Sequence, residues 1–131
     1  MTVEEFLAKA EESLAGAESE FANGRYNNCA NRCYYACFQA AVQALLRAGI
    51  QPNRTRAEWR HAFVQAQFVG HLINRRKQYP AALRDVLART LILRQTADYE
   101  PEGVMQAQAL RALRRAREFL EAIRTRGEET T

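Results

Sequence analysis

The residues best placed to do chemistry are Arg94, Asp98 and Tyr99, in the stretch Arg94-Gln95-Thr96-Ala97-Asp98-Tyr99 that closes a strongly apolar segment. A guanidinium grips a phosphate or carboxylate through two parallel N–H bonds, which adds geometric selectivity to charge. Asp98 follows Arg94 by one helical turn, so its carboxylate can orient the guanidinium. Tyr99 adds a hydroxyl and a stacking face. The plainer reading is an arginine offsetting the negative end of a helix dipole, beside a turn residue and a packed aromatic. A second polar group, Asn27, Asn28, Asn31 and Arg32, stands at the front of the densest apolar run, either as its solvent edge or as the floor of a site.

Other chemistries find less support. Cys29, Cys33 and Cys37 recur at every fourth residue and share one helix face, with no zinc-type spacing. They read as buried thiols packing as small apolar residues. His61 and His71 form no HExxH pattern and no Cys/His ligand pair, so no metal is expected and both read as interface or surface histidines. No histidine is near the cysteines in sequence, which argues against an activated thiol nucleophile. There is no Gly-rich phosphate loop, and no cofactor is expected. The pair Glu11-Glu12 falls on the outer part of a helix, where solvent exposure accounts for it.

These groups need helices to hold them. In Arg25–Leu46, Tyr26, Ala30, Cys33, Cys37, Ala40 and Ala44 make one row at four-three steps, and Tyr34, Phe38, Ala41 and Leu45 make a second beside it. Two adjacent rows describe a helix contacted on more than one side. Upstream, Val3, Leu7, Ala10, Leu14, Ala17 and Phe21 give residues 2–23 the narrow stripe of a bundle seam, with Thr2 as N-cap and Asn23-Gly24 as the stop. The central helix ends near Ala48, before Gly49. Thr55 and Glu58 form a candidate capping box for a third helix carrying Trp59, Phe63 and Ala66. Asn74–Gln78 is a basic break, Pro80 opens a helix through about Ala97, and a last helix runs from about Val104 to Arg124. Val, Ile and Thr never alternate, so no strand is expected. The fold class is all-α, an antiparallel up-and-down bundle of four to five helices. It is read as one domain over residues 1–131, with a core over about 2–125 and a polar tail at 127–131.

The net charge is +4, carried by 17 Arg against 2 Lys, a bias compatible with an RNA or nucleotide partner and equally with an Arg-rich genome. No apolar run reaches the roughly 20 residues of a membrane span. The acidic, periodic N-terminus is wrong for a signal peptide, and a cytoplasmic location is the default expectation.

Two motifs together resemble the HEPN domain family in its small stand-alone bacterial branch. Ala30, Arg32, Tyr34, Tyr35, Ala36, Phe38, Leu45 and Leu46 fit that family's central helix. Arg94, Ala97, Asp98 and Tyr99 fit its Arg-x-x-Ala-Asp-Tyr motif, and the Asn-Gly-Arg-Tyr turn at residues 23–26 fits its lead-in. The resemblance spans about residues 5–124. It implies a helical bundle related to the C-terminal domain of kanamycin nucleotidyltransferase, usually a homodimer. Some members are toxins that cut RNA with an Arg and a His that have four to six residues between them. Many are encoded beside a minimal nucleotidyltransferase that serves as antitoxin, and others act as noncatalytic binding modules.

The chain departs from that pattern twice. No His follows Arg94, and Thr55-Arg56 stands where the branch often has Thr-His. Arg54 and Arg56 do precede His61 at a suitable spacing, but in the wrong helix for the family's site, and the match is set aside as chance. Without a positioned imidazole, acid–base cleavage loses its usual proton carrier. The reading is therefore a binding module, in which Arg94, Asp98 and Tyr99, with Arg32 and Asn31 as floor, hold a nucleotide or RNA in a homodimer. A minimal nucleotidyltransferase is the possible protein partner in a toxin–antitoxin pair. The alternative is a weak or conditional ribonuclease in which Asp98 or Tyr99 replaces the missing His. A structural dimer without ligand is the third reading.

Overall fold

The computed structural model describes residues 2–52 and 59–129. Five helices follow in order: α1 (Val3–Ala22), α2 (Tyr26–Arg47), α3 (His61–Gln67), α4 (Val86–Tyr99) and α5 (Gln106–Glu129). α3 continues without a break into a π-helical segment, Phe68–Arg75, and a short 3₁₀ turn, Ala81–Leu83, precedes α4. No strand occurs among the described residues, and the architecture is the all-α bundle that the periodicity predicts.

The ends of α1 follow from local chemistry. Thr2 accepts from the Glu5 backbone N–H at 3.2 Å, and the Glu5 carboxylate takes the Thr2 N–H at 2.7 Å, closing a capping box. Gly24 then turns the chain in the left-handed region, at φ 72°, and α2 runs back along α1.

α2 is the axis of the molecule. α1, α4 and α5 all pack extensively against it. Its buried set includes Cys29, Cys33, Tyr34, Cys37, Phe38, Val42 and Leu45, with Ala30, Ala36, Ala40, Ala41 and Ala44 between them. A set that wide cannot be one amphipathic stripe, and the alanines are what lets three neighbours approach at once. The three cysteines are free thiols buried in this packing. Cys33 is pushed above the ordinary thiol range by its hydrogen bond with Cys29 and by burial, and Cys37 by burial alone, so both stay protonated and inert. At the far side, Phe68 of the π-helical segment packs on Phe119 of α5 and on Tyr79, with ring centroids 5.1 and 5.3 Å apart.

Some boundaries differ from the sequence reading. Pro80 opens only the 3₁₀ turn, and α4 begins at Val86. The last helix starts later than Val104 and runs past Arg124 to Glu129. The reason for the extension is tertiary: Gly127 is buried, and its carbonyl accepts from Arg47 Nη2 at 2.9 Å. The expected capping box of Thr55 and Glu58, and the arginines Arg54 and Arg56, lie outside the described residues. The basic break is real. Lys77 takes φ 52°, and the Gln78 N–H closes on the Leu72 carbonyl at 2.8 Å, which ends the π-helical segment.

One clasp fixes where α4 ends. Asn27, at the front of α2, accepts the Val104 N–H on its Oδ1 at 2.8 Å. Gly103, at φ 69°, lies directly over the same amide, and a Cβ there would sit 2.7 Å from Oδ1. Gly24 has equally unusual φ but open space around it. Gly24→Ala should therefore cost about 1–2 kcal/mol, the backbone term alone. Gly103→Ala should cost roughly 1 kcal/mol more, because Asn27 must also give up its bond. Urea unfolding of the two variants tests this, and equal losses would show that the clasp contributes nothing.

Candidate functional site

The site forms where α4 and α3 meet one stripe of α2. Asn31, Tyr34, Tyr35 and Phe38 recur at i, i+3, i+4 and i+7 and therefore share one face of α2. Arg94 comes down onto this face from α4. Its guanidinium carbon lies 5.4 Å from the Tyr34 ring centroid and 5.2 Å from that of Tyr35. Both distances fall within the reach of a cation–π contact.

Asp98 stands one turn further along α4, with its carboxylate 3.6 Å from Arg94 Nε. That separation gives charge attraction but no hydrogen bond. Nε itself is buried and unpaired, and no other described residue receives a hydrogen bond from this guanidinium. The side chain keeps 23% of its surface exposed. A cation is thus held by ring faces and a nearby carboxylate while its N–H donors remain unused.

His61 completes the group from the start of α3. Its Nδ1 is hydrogen-bonded to the Tyr34 hydroxyl. Its ring centroid lies 5.2 Å from those of Tyr34 and Phe38. Partial burial first, and the positive charge of Arg94 second, lower the His61 pKa below the ordinary histidine value. Burial pushes the Tyr34 phenol well above its ordinary range, against the pull of Arg94, so the hydroxyl stays protonated. Beyond the group, Trp59 stacks edge-on against Phe63 and Phe6 at 6.1 and 6.3 Å, anchoring the front of α3 to α1.

The five residues read from the sequence do not all converge. Arg94 and Asp98 come together as described. Asn31 is half-buried on the same stripe of α2, one turn ahead of the two tyrosines. Arg32, the next residue, points elsewhere: it lines a groove of about 570 Å³ between α1 and α2 with Lys9, Glu12, Ser13, Gly16 and Gln39. Tyr99 is 81% exposed. Five residues of helix put it roughly 140° around α4 from Arg94, on the outer face with Ile92. The sequence reading also missed three members, Tyr34 and Tyr35 as the cradle and His61 as the imidazole. The Tyr-Tyr pair was visible in the motif, but its role was not. His61 is 27 residues from Tyr34, and no spacing rule links them. Among the described residues no cluster of His, Cys, Asp or Glu is arranged to hold a metal ion.

The chain matches the HEPN domain over residues 3–126, nearly its whole length, and belongs to that family. The family is a nucleotide- and RNA-related module whose members often dimerise. None of the curated proteins compared with the chain matches it. No described helix is long and apolar enough to cross a membrane.

The electrostatics of the site can be read directly. In an NMR titration His61 should titrate below 6.5, and Arg94→Gln should move it upward by removing the repelling charge. A His61 midpoint that ignores Arg94→Gln would mean that the two groups do not share a site.

Proposed function

We propose that this HEPN domain binds nucleotides or RNA through a phosphate group held by Arg94. One observation carries the reading: the Arg94 guanidinium is fixed by Tyr34 and Tyr35 yet spends no N–H donor on another described residue. An arginine kept for structure satisfies its donors with carboxylates or carbonyls, because unpaired buried donors cost free energy. Here the aromatic faces supply the holding energy and leave the fork open for a phosphate. Asp98 orients the guanidinium without occupying it. Asn31, on the same stripe, is within the floor of such a site, whereas Arg32 is not part of it.

A homodimer fits the rest of α4. Among the described residues, Ile92, Tyr99 and Met105 are the large apolar side chains left exposed, and Ile92 and Tyr99 share the outer face of the helix that carries Arg94. A second copy seated there would bring two arginine sites onto neighbouring helices and give Tyr99 its packing partner. The resemblance adds a minimal nucleotidyltransferase as the protein partner in a toxin–antitoxin pair.

Fluorescence anisotropy with a labelled single-stranded RNA at low salt tests the binding. Arg94→Ala should weaken it by on the order of 1.5–3 kcal/mol, the size of a charged hydrogen bond. Arg32→Ala should act far less. Equal binding by wild type and Arg94→Ala would remove the reading. Sedimentation at micromolar concentration reads the assembly, and a fully helical monomer would count against the dimer.

A further inference from the structure

We propose that the groove between α5 and residues 78–80 binds a small organic monocarboxylate, with its acid on Arg126 and the Tyr79 hydroxyl and its apolar body along Pro80 and Ala122. The groove holds about 660 Å³. Pockets for small molecules run to roughly 300–1,000 Å³. Neither Arg94 nor His61 lines it, so the inference stands apart from the phosphate reading. It starts from two side chains with unused donors. Tyr79 is only 7% exposed, with its ring packed on Phe68. Its hydroxyl bonds to no described residue and opens on the groove. Arg126, half-buried on the α5 wall, has no hydrogen bond or ion pair with any described residue. A phenol buried this far ordinarily finds a partner, and so does a cation partly withdrawn from water. One carboxylate answers both: it takes two N–H bonds from a guanidinium fork and still accepts an O–H.

The surrounding charges select the ligand. Gln78, Tyr79 and Arg126 also border a smaller groove that Arg47 lines, which sets these three together at one end. Burial pushes the Tyr79 pKa up to about 12 against the pull of Arg126 and Arg47, so at neutral pH the phenol is a donor. Arg47 is engaged with the Gly127 carbonyl, which leaves one guanidinium for the ligand. One cation with neutral donors beside it suits a single negative charge. The acidic side chains rule out a larger one. Glu121 is paired with Arg124, and Arg117 with Glu18. Glu118 and Glu129 line the groove without an ion-pair partner among the described residues. Glu118 precedes Arg126 by eight residues, about 12 Å along the helix, and Glu129 lies one turn beyond it. A polyphosphate or a nucleic-acid strand laid along the groove would meet both carboxylates. A monocarboxylate keeps its charge at Arg126 and passes Glu118 with apolar atoms only.

The test uses the full chain with 2-naphthoate as probe, 2-naphthamide as its uncharged match and 2-naphthyl phosphate as its dianionic one. Calorimetry should find one naphthoate per chain, with the amide on the order of 10–100-fold weaker, the range of a charged hydrogen bond. The phosphate should bind less tightly than the carboxylate. Arg126→Gln and Tyr79→Phe should each weaken naphthoate by about 10-fold or more. Tyr79→Phe keeps the ring on Phe68, and Gln is a good helix former, so circular dichroism should find both variants folded. In NMR spectra naphthoate should shift the backbone amides of Tyr79, Thr125 and Arg126 and leave those around Arg94 in place. Acid and amide bound alike, or naphthoate bound by either variant at wild-type affinity, overturns the inference. Shifts centred on α4 overturn it as well, as does the absence of saturable binding at millimolar naphthoate. Tighter binding of the phosphate would make this a phosphate site and likewise overturns it.

Discussion

Everything in this fold depends on how closely three helices approach α2. The seams are lined by alanine: Ala10 and Ala17 on α1, Ala30, Ala36, Ala40, Ala41 and Ala44 on α2, and Ala109, Ala112 and Ala116 on α5, all buried. Small residues bring helix axes to the short end of the usual 8–10 Å range. A side chain larger than alanine in such a seam would overpack it, at about 1–3 kcal/mol. Two clusters of aromatic rings flank these seams. One is the cluster of Phe68, Tyr79 and Phe119 beside the π-helical segment. The other is the stripe of Tyr34, Tyr35 and Phe38, on which the Arg94 guanidinium rests.

Placing a cation on aromatic rings is a compromise between two costs. Full burial of Arg94 would demand carboxylate partners for its donors. Full exposure would leave it hydrated and mobile, with its grip on any ligand diluted by side-chain entropy. Ring faces hold the planar guanidinium by stacking and by charge, and they accept none of its hydrogen bonds. Lysine would not serve in the same way, because its ammonium is a point charge without a plane to stack or a fork to present. Asp98, partly exposed and beyond hydrogen-bonding distance, lowers the electrostatic cost without closing the site.

The bundle was legible in the sequence because it is written in periodicity. The four-three rows of α1 and α2 need no tertiary information to be read as buried faces. Two helix ends were legible for the same reason: Thr2, and Gly24 after Asn23, act through backbone groups close by in the chain. The site was legible only in part. Arg94 and Asp98 are one turn apart on a helix, so their pairing is local. Tyr99 was grouped with them because it is adjacent in sequence, yet adjacency on a helix means a rotation of about 100° per residue. Arg32, one residue from Asn31, stands on the next face of α2 and lines a different groove. His61 was set aside because its helix differs from that of Arg94, and a linear motif cannot show which helices touch. Helix ends shifted where long-range contacts decide them, as Arg47 does for Gly127.

The division of the site among three helices also says how each part is held. α4 is secured along its length by α2, and at its end by the Asn27 clasp on the following turn. α3 packs less extensively on α2, and its seven residues from His61 to Gln67 run on into the π-helical segment. Its direction is set instead by side chains, with Trp59 against Phe6 and Phe63, and His61 against Tyr34 and Phe38. The imidazole therefore takes its position from the same tyrosine that carries the guanidinium. A change at Tyr34 must reach both groups, whereas a change at Tyr35 reaches the cation alone. The spatial unit of this site is the aromatic stripe of α2, and the groups on α3 and α4 are placed by reference to it.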